Sequence, residues 1–294
     1  MLPYRPEGYY TNTPTLEALR RGAGNGEIFQ AICTKCDEFH NLHVDLCGIK
    51  GVIPREEAAI GIAEGTANEF TILSRVGKPI CFQVLGFDSN ETVILSRRAV
   101  QSDARNFFLN TLRPGDVIPD VVQNTTPYGV FCDIGCGYIA MMRVDRCCVS
   151  RLQDCGELFH PGQNICCAIL KTDDRTGRIE LSGRELLGTW SENASCFAQG
   201  QTVAGTVRSI MPYGIFVELA PNLSGLAEPQ EGLSAGDRVS VYIRSIQHAR
   251  HKIKLNILQQ LQPTASAPNF RYFISSGHIP QWEYYPGSRN FKLF

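Results

Sequence analysis

The sequence lacks an excess of basic charge. Its 294 residues carry 28 Lys and Arg against 29 Asp and Glu, a formal net charge of −1. A uniformly basic nucleic-acid coat protein is thereby excluded, and any such binding must come from a local surface. Long apolar runs are also missing: none approaches the roughly 18–20 residues of a membrane span. The opening Met1-Leu-Pro-Tyr-Arg-Pro-Glu-Gly8 has no apolar core of a signal peptide. Catalytic signatures are absent too. Gly22-Ala-Gly-Asn-Gly26 is followed by neither a helix pattern nor Lys-Ser/Thr, so it is no phosphate-cradling loop. There is no nucleophile elbow, no His-Glu-x-x-His and no paired acidic cluster to hold magnesium for a nuclease. No catalytic residue and no cofactor is expected.

What is present is an ordinary globular composition, 43% hydrophobic, which excludes wholesale disorder. Cysteine is plentiful, with twelve residues. Without export these read as reduced thiols in a cytoplasm rather than a disulfide framework. Cys132 and Cys166-Cys167 fall inside strand-like runs, where Cys behaves as a small buried hydrophobe.

The sequence also repeats. Gly115-Asp-Val-Ile-Pro-Asp-Val-Val leads to Pro127-Tyr-Gly-Val-Phe131, and Gly200-Gln-Thr-Val-Ala-Gly-Thr-Val leads to Pro212-Tyr-Gly-Ile-Phe216. Gly162-Gln-Asn-Ile-Cys-Cys precedes Leu181-Ser182 by the same 19 positions that separate Gly236-Asp-Arg-Val-Ser-Val from Leu255-Asn256. A weaker copy runs from Glu27-Ile-Phe-Gln through His43 to Gly77-Lys-Pro-Ile and Leu95-Ser96. The copies are offset by 88 and 85 residues, too long for a solenoid unit. Each therefore reads as a small domain.

Within a copy, apolar residues alternate between Gly and Pro punctuation, the pattern of antiparallel strands. In the third copy the strands read as 202–208, 215–219, 225–228, 238–246 and 252–257. Five strands in so short a span suit a closed Greek-key barrel of the OB type, which leaves no exposed edges. The expected architecture is all-β: three tandem five-stranded OB-fold barrels joined by short helical linkers. The parts are a flexible segment 1–25 with at most a short helix near Leu16–Arg20, then barrels within 26–98, 99–187 and 188–262, and an aromatic tail 263–294. The linker helices are predicted over Arg97–Leu112 and Gly183–Ala198. The tail begins with Thr-Ala-Ser-Ala-Pro after Pro263, and its Trp282, Tyr284 and Tyr285 read as a strap over the third barrel rather than a binding strip.

The pattern Gly-x-x-Val-x-Gly-x-Val, Tyr-Gly-x-Phe-Val, Gly-Leu, Gly-Asp-x-Val-x-Val and Lys-Ile-x-Leu resembles the RNA-binding barrel of the ribosomal protein S-one family. The third copy, 200–258, fits best, the second, 115–183, fits well, and the first, 26–97, follows through the offsets. The chain resembles a short, three-repeat bacterial member. The resemblance implies that Tyr128 and Phe131, and Tyr213 and Phe216, form an RNA platform, since flat rings stack on bases whatever their sequence. By residue type alone a core place is the favoured reading for these aromatics, and the motif turns it towards the ligand face. The Gly between them would permit a bulge that re-aims a ring. The resemblance also implies a cation on the last strand, aligned with Arg178 and Lys252. Arg250 and Lys254 add to it in the third copy, where a solvated edge is the other reading for Lys254.

The sequence departs from the family in each of the three copies. The expected His is Glu228 in the third copy and Ala140 in the second, where Tyr138 offers a compensating ring. In the first copy His40 and His43 replace the Tyr and Phe, and Thr92 replaces the cation. Imidazole can stack on a base, so His43 is kept as a candidate contact, with weak binding or docking expected of this copy. Residues 26–98 carry 7 basic and 10 acidic side chains, a net −3, while 188–262 carry 6 and 5, a net +1. RNA affinity should concentrate towards the back of the chain.

Cys33, Cys36, His40 and His43 contain enough ligands for zinc. Their spacing lacks the long insert of a standard finger, so no metal is expected. The reading as a whole is a non-enzymatic cytoplasmic protein that binds single-stranded RNA, specifically mRNA, and acts in translation with the small ribosomal subunit. It is expected to be a monomer without membrane contact. The alternative is a protein-docking scaffold, or an accessory factor in transcription or RNA decay, built on the same barrels.

Overall fold

The computed structural model describes residues 2–10, 14–262, 270–288 and 292–293. The Thr-Ala-Ser-Ala-Pro stretch after Pro263 lies outside them. The predicted architecture is what the structure shows: three closed five-stranded barrels joined by short helices.

The first barrel contains β1 (Phe29–Cys36), β2 (Leu42–Asp45), β3 (Lys50–Ile53), β4 (Pro79–Phe87) and β5 (Val93–Ser96). The second contains β6 (Asp116–Thr126), β7 (Gly129–Gly135), β8 (Tyr138–Arg143), β9 (Asn164–Asp173) and β10 (Arg178–Ser182). The third contains β11 (Thr202–Met211), β12 (Gly214–Ala220), β13 (Leu223–Ala227), β14 (Arg238–Gln247) and β15 (Lys252–Gln260). In each the order is first, second, third, fifth, fourth, with the fourth strand returning to the first. The third and fifth strands run parallel every time. A short β16 (Gly277–His278) extends the second barrel along β6.

Helices fill the gaps: α1 (Leu16–Gly22), α2 (Phe70–Leu73), α3 (Arg97–Thr111), α4 (Val144–Cys147) and α5 (Trp190–Ala194). The first linker helix is as predicted. Ser96 caps it, accepting the Ala99 N–H, and Val100, Ala104 and Phe108 form its buried face. The second linker is a correction, since only Trp190–Ala194 is helical. Gly188 sits at φ 83 and Thr189 starts a new capping box with Glu192, so a helix cannot run through from Gly183. Leu186, Leu187, Trp190 and Ala194 are nevertheless buried as their spacing suggested.

By contact the chain divides into two compact units: residues 1–112 with 133–140 and 173–177, and residues 113–132, 141–172 and 178–294. In the second unit the third barrel's core is built from Val207, Ile215, Val217, Val239, Val241, Ile253 and Leu255, the inward half of each alternation. Trp282 and Tyr284 of the tail join this cluster, which is the strap the sequence suggested. Tyr284 donates its hydroxyl to the Asn222 carbonyl at 2.5 Å. Cys132 and Cys167 are buried and Cys166 is half-buried, and all twelve cysteines are free thiols.

In the first unit the N-terminal residues correct a second expectation, because they are not uniformly loose. Glu7 is buried and takes two charge-assisted bonds from Arg97, at 2.7 and 3.0 Å. The Glu7 backbone N–H donates to Asp133 at 2.7 Å, and Asp133 also accepts from Gly135 and Gly137 at 2.9 and 3.0 Å. Loss of solvent, and then the neighbouring Glu7 carboxylate, push the Asp133 carboxyl up to about 7 against those N–H groups and Arg97.

Folding therefore tightens proton binding at Asp133. Its contribution to stability is full below the ordinary carboxyl range near 4 and declines as pH rises to about 7. Carbon-13 NMR titration of the Asp133 carboxyl should give a midpoint near 7, and a midpoint at or below the ordinary value contradicts this.

Candidate nucleic-acid interface

The third barrel shows how a strand pattern becomes a surface. Along β15 the residues Ile253 and Leu255 point inward, leaving Lys252, Lys254 and Asn256 exposed. On β12 the inward residues are Ile215 and Val217, leaving Phe216 half-buried between them. The ladder then places Phe216 between Ser209 and Leu226, and Leu226 beside Lys254. Residues level in register on neighbouring strands face the same side. One outward row thus reads Ser209, Phe216, Leu226, Lys254 across four strands. Of the two residues that flank the ring, Leu226 was marked in the sequence only as part of the Gly-Leu pair, and Ser209 carried no signal of its own.

Tyr213 stands in the turn before β12, 66% exposed, with its ring edge-on to Phe216 at 6.3 Å. A flat, solvated ring beside a half-sunk one offers two faces to a planar ligand. The bulge expected at Gly214 is not there. The register shift falls on β11, between Val207 and Ser209. Gly214 serves close approach instead: a Cβ would lie 2.6 Å from the Ala227 carbonyl oxygen. Gly129 does the same, 2.6 Å from the Met142 carbonyl oxygen. The glycine in Tyr-Gly-x-Phe thus lets the neighbouring strand pass close behind it.

Lys252 and Lys254 are exposed on β15, and Arg250 is exposed in the preceding turn. Among the described residues none of the three has an ion-pair partner. Their charges are available to an anion. Glu228, where the family has His, is 83% exposed at its side chain and lies 3.4 Å from Arg244. So exposed a pair is weak, and its carboxylate still faces any passing phosphate.

The second barrel repeats the arrangement with less charge. Tyr128 is 78% exposed, Phe131 half-buried and Arg178 exposed. Glu180 pairs with Met141 as Lys254 pairs with Leu226, so a carboxylate stands where the third barrel has a lysine. Tyr138 is a correction. It is buried, stacked on Phe108 at 6.2 Å, and donates its hydroxyl to the Gly177 carbonyl. Residues on β8 alternate, and Tyr138 falls on the inward side while Ile139 faces out. It belongs to the core and cannot compensate for a missing His.

In the first barrel His43 lies between Lys35 and Val52 in register, and Val52 lies beside Ile94. The fifth-strand position holds Ile94 in place of a cation, and the row's lysine, Lys35, stands on the other side of His43. The His43 ring is bound to Asp37 at 3.0 Å. Against the opposing cost of desolvation, bonds from His43, Asn41 and Phe39 hold Asp37 down to about 2. An exposed aromatic in this barrel, beside His40 in the chain, is Phe39, at 70%, which the alignment of His40 with Tyr213 passed over.

The four possible zinc ligands do not converge. Cys33 is in the core, where burial pushes its thiol up to about 11, and Cys36 turns to the Asp37 carbonyl at 3.7 Å. His40 faces Glu69 at 3.5 Å. Among the described residues no group of three His, Cys, Asp or Glu is placed to hold a metal ion. Metal analysis of the purified chain should find zinc well below one equivalent, unchanged by Cys36→Ser; stoichiometric zinc lost in that variant contradicts the assignment.

Comparison with known proteins follows the fold. No family model matches. Curated relatives do. The small ribosomal subunit protein bS1 of Leuconostoc lactis is 30% identical over 233 residues, covering 74% of this chain and 53% of that protein. The bS1 protein of Staphylococcus aureus strain COL is 30% identical over 256 residues, covering 81% of this chain and 63% of that one. The bS1 homolog of Bacillus subtilis strain 168 is 28% identical, covering 79% and 63%. Relatedness and fold together support the general S-one, OB-fold family.

No subtype within that S-one family follows, because the chain spans about half the length of the curated relatives it matches, 53% of the first. Among solved structures, a multidomain protein with nucleic acid binding domains from Streptococcus pneumoniae covers 82% of this chain at 15% identity. Its TM-score of 0.27 bears no argument.

Proposed function

We propose that this chain is a non-enzymatic single-stranded RNA-binding protein of the S-one type. Its ligand is mRNA, and it acts in the cytoplasm in translation with the small ribosomal subunit, as a monomer. The observation that carries this is the third barrel's outward row, with Phe216 beside Tyr213 and in the same row as Lys254, which has no ion-pair partner among the described residues. Stacking and phosphate neutralisation are the two contributions a sequence-tolerant single-strand groove requires. Kinship to bS1 proteins supports the translational role. No helix among the described residues is long and apolar enough to cross a membrane.

In this reading Phe216 and Tyr213 stack on bases, and Lys252, Arg250 and Lys254 neutralise phosphates. Phe131, Tyr128 and Arg178 form a weaker second site, and His43 contributes little while Asp37 holds it. Each barrel grips a few nucleotides, and tethering multiplies the modest affinities. The bound His43 and the net −3 of residues 26–98 favour a second reading for the first barrel alone, as a docking module. The scaffold and the transcription or RNA-decay factor remain its extensions to the whole chain.

Titration of a labelled single-stranded RNA at several salt concentrations tests this. Phe216→Ala should weaken binding about tenfold or more, the loss of one base stack. Lys252→Ala should weaken it less and flatten the salt slope by about one phosphate contact. An unmodified chain that fails to bind at low salt overturns the reading, as does indifference to both changes.

A charge reversal in the second barrel checks the comparison between sites. Glu180→Lys copies the third barrel's lysine, so it should tighten binding several-fold at low salt and steepen the salt slope. Unchanged affinity would show that the second barrel lies off the RNA path.

A further inference from the structure

The turn that carries the third barrel's cations is not held by the barrel alone. Residues 248–251 join β14 to β15, and His248–Arg250 form a single 3-10 turn. It ends at His251 with φ 49 and ψ 47, the left-handed region that non-glycine residues adopt uncommonly, histidine more readily than most. Arg250 and Lys252 flank this residue on either side.

Two rings from outside the barrel hold His251. The Tyr285 ring of the tail stacks on the imidazole at 4.7 Å and 19°. Trp190 of α5 meets it edge-on at 5.2 Å and 87°, and meets His248 at 5.5 Å and 85°. These rings are themselves anchored. The Trp190 backbone N–H donates to the Tyr284 carbonyl at 3.0 Å, and Asn222, whose carbonyl takes the Tyr284 hydroxyl, donates to Arg184 and Gly188. An imidazole clamped between a tail ring and a helix ring leaves the turn little freedom.

We propose that the tail is a clamp that presets the cationic turn for an RNA backbone, with His251 and Tyr285 as positioning residues. The proposal rests on the RNA reading above and adds the element that reading does not contain. Long basic side chains on a free turn lose conformational entropy when they engage phosphate. A turn fixed beforehand has already lost its backbone freedom in folding, so binding costs only the side chains' own share. Neither His251 nor Tyr285 needs to touch RNA. Both act through Arg250 and Lys252.

The test is a mutant cycle in the full chain, read by anisotropy of a labelled twelve-nucleotide oligouridylate, with thermal unfolding followed in parallel. Tyr285→Ala should weaken binding about fivefold, and Tyr285→Phe, which keeps the ring, should restore it. His251→Gly accepts the left-handed backbone but removes the imidazole, so it should lose as much as Tyr285→Ala. In an Arg250→Ala, Lys252→Ala background, Tyr285→Ala should cost nothing further. An equal loss in that background overturns the proposal, because it would mark a general structural role. So does unchanged binding by Tyr285→Ala while Phe216→Ala remains weak, which leaves the RNA reading standing. Failure of the unmodified chain to bind oligouridylate overturns both.

Discussion

Barrel closure is the constraint on which the rest depends. In these barrels five short strands abolish their free edges by returning the fourth to the first and setting the fifth parallel to the third. That arrangement decides which residues are level on the outside. Phe216 and Lys254 are 38 residues apart in the chain, yet only Leu226 separates them in register. The glycines of the Tyr-Gly-x-Phe motif serve the same closure. They admit a neighbouring backbone where a methyl group would collide with a carbonyl oxygen.

Given one scaffold repeated three times, the barrels differ by what stands on a common row. The third has Phe216 and Lys254, the second has Glu180 in the lysine's place beside Met141, and the first has Lys35, His43 and Ile94. A carboxylate on such a row repels phosphate, and an imidazole already bonded to Asp37 must break that bond before it can stack. Near-neutral net charge is therefore the sum of unlike surfaces and says little about any one of them.

Much of the fold was legible because alternation and turn residues are local signals. Repetition then supplied what one copy left uncertain. The strands and first linker helix came out near their predicted limits, since β15 and α3 each bury one regular face. The second linker did not. Its apolar spacing was helical, but a left-handed Gly188 and a fresh cap at Thr189 divide it. Tyr138 was misread for a related reason. A motif places a residue near a site but does not say which side of the strand it takes, and here its hydroxyl already had a buried acceptor.

The sequence by itself determined three all-β modules, their closure, the first linker helix and a set of candidate residues for stacking on bases and neutralising phosphates. The modules follow from period-two alternation, a local signal, and the candidate contacts from residue chemistry together with the family resemblance. Only the tertiary structure decided which candidates share a surface, that Asp37 occupies His43, and that Glu7 is buried against Arg97. It alone brought Tyr285 onto His251, a pairing across 34 positions of chain. Contacts between distant residues depend on how closed barrels and tail pack. No local period in the chain encodes that packing.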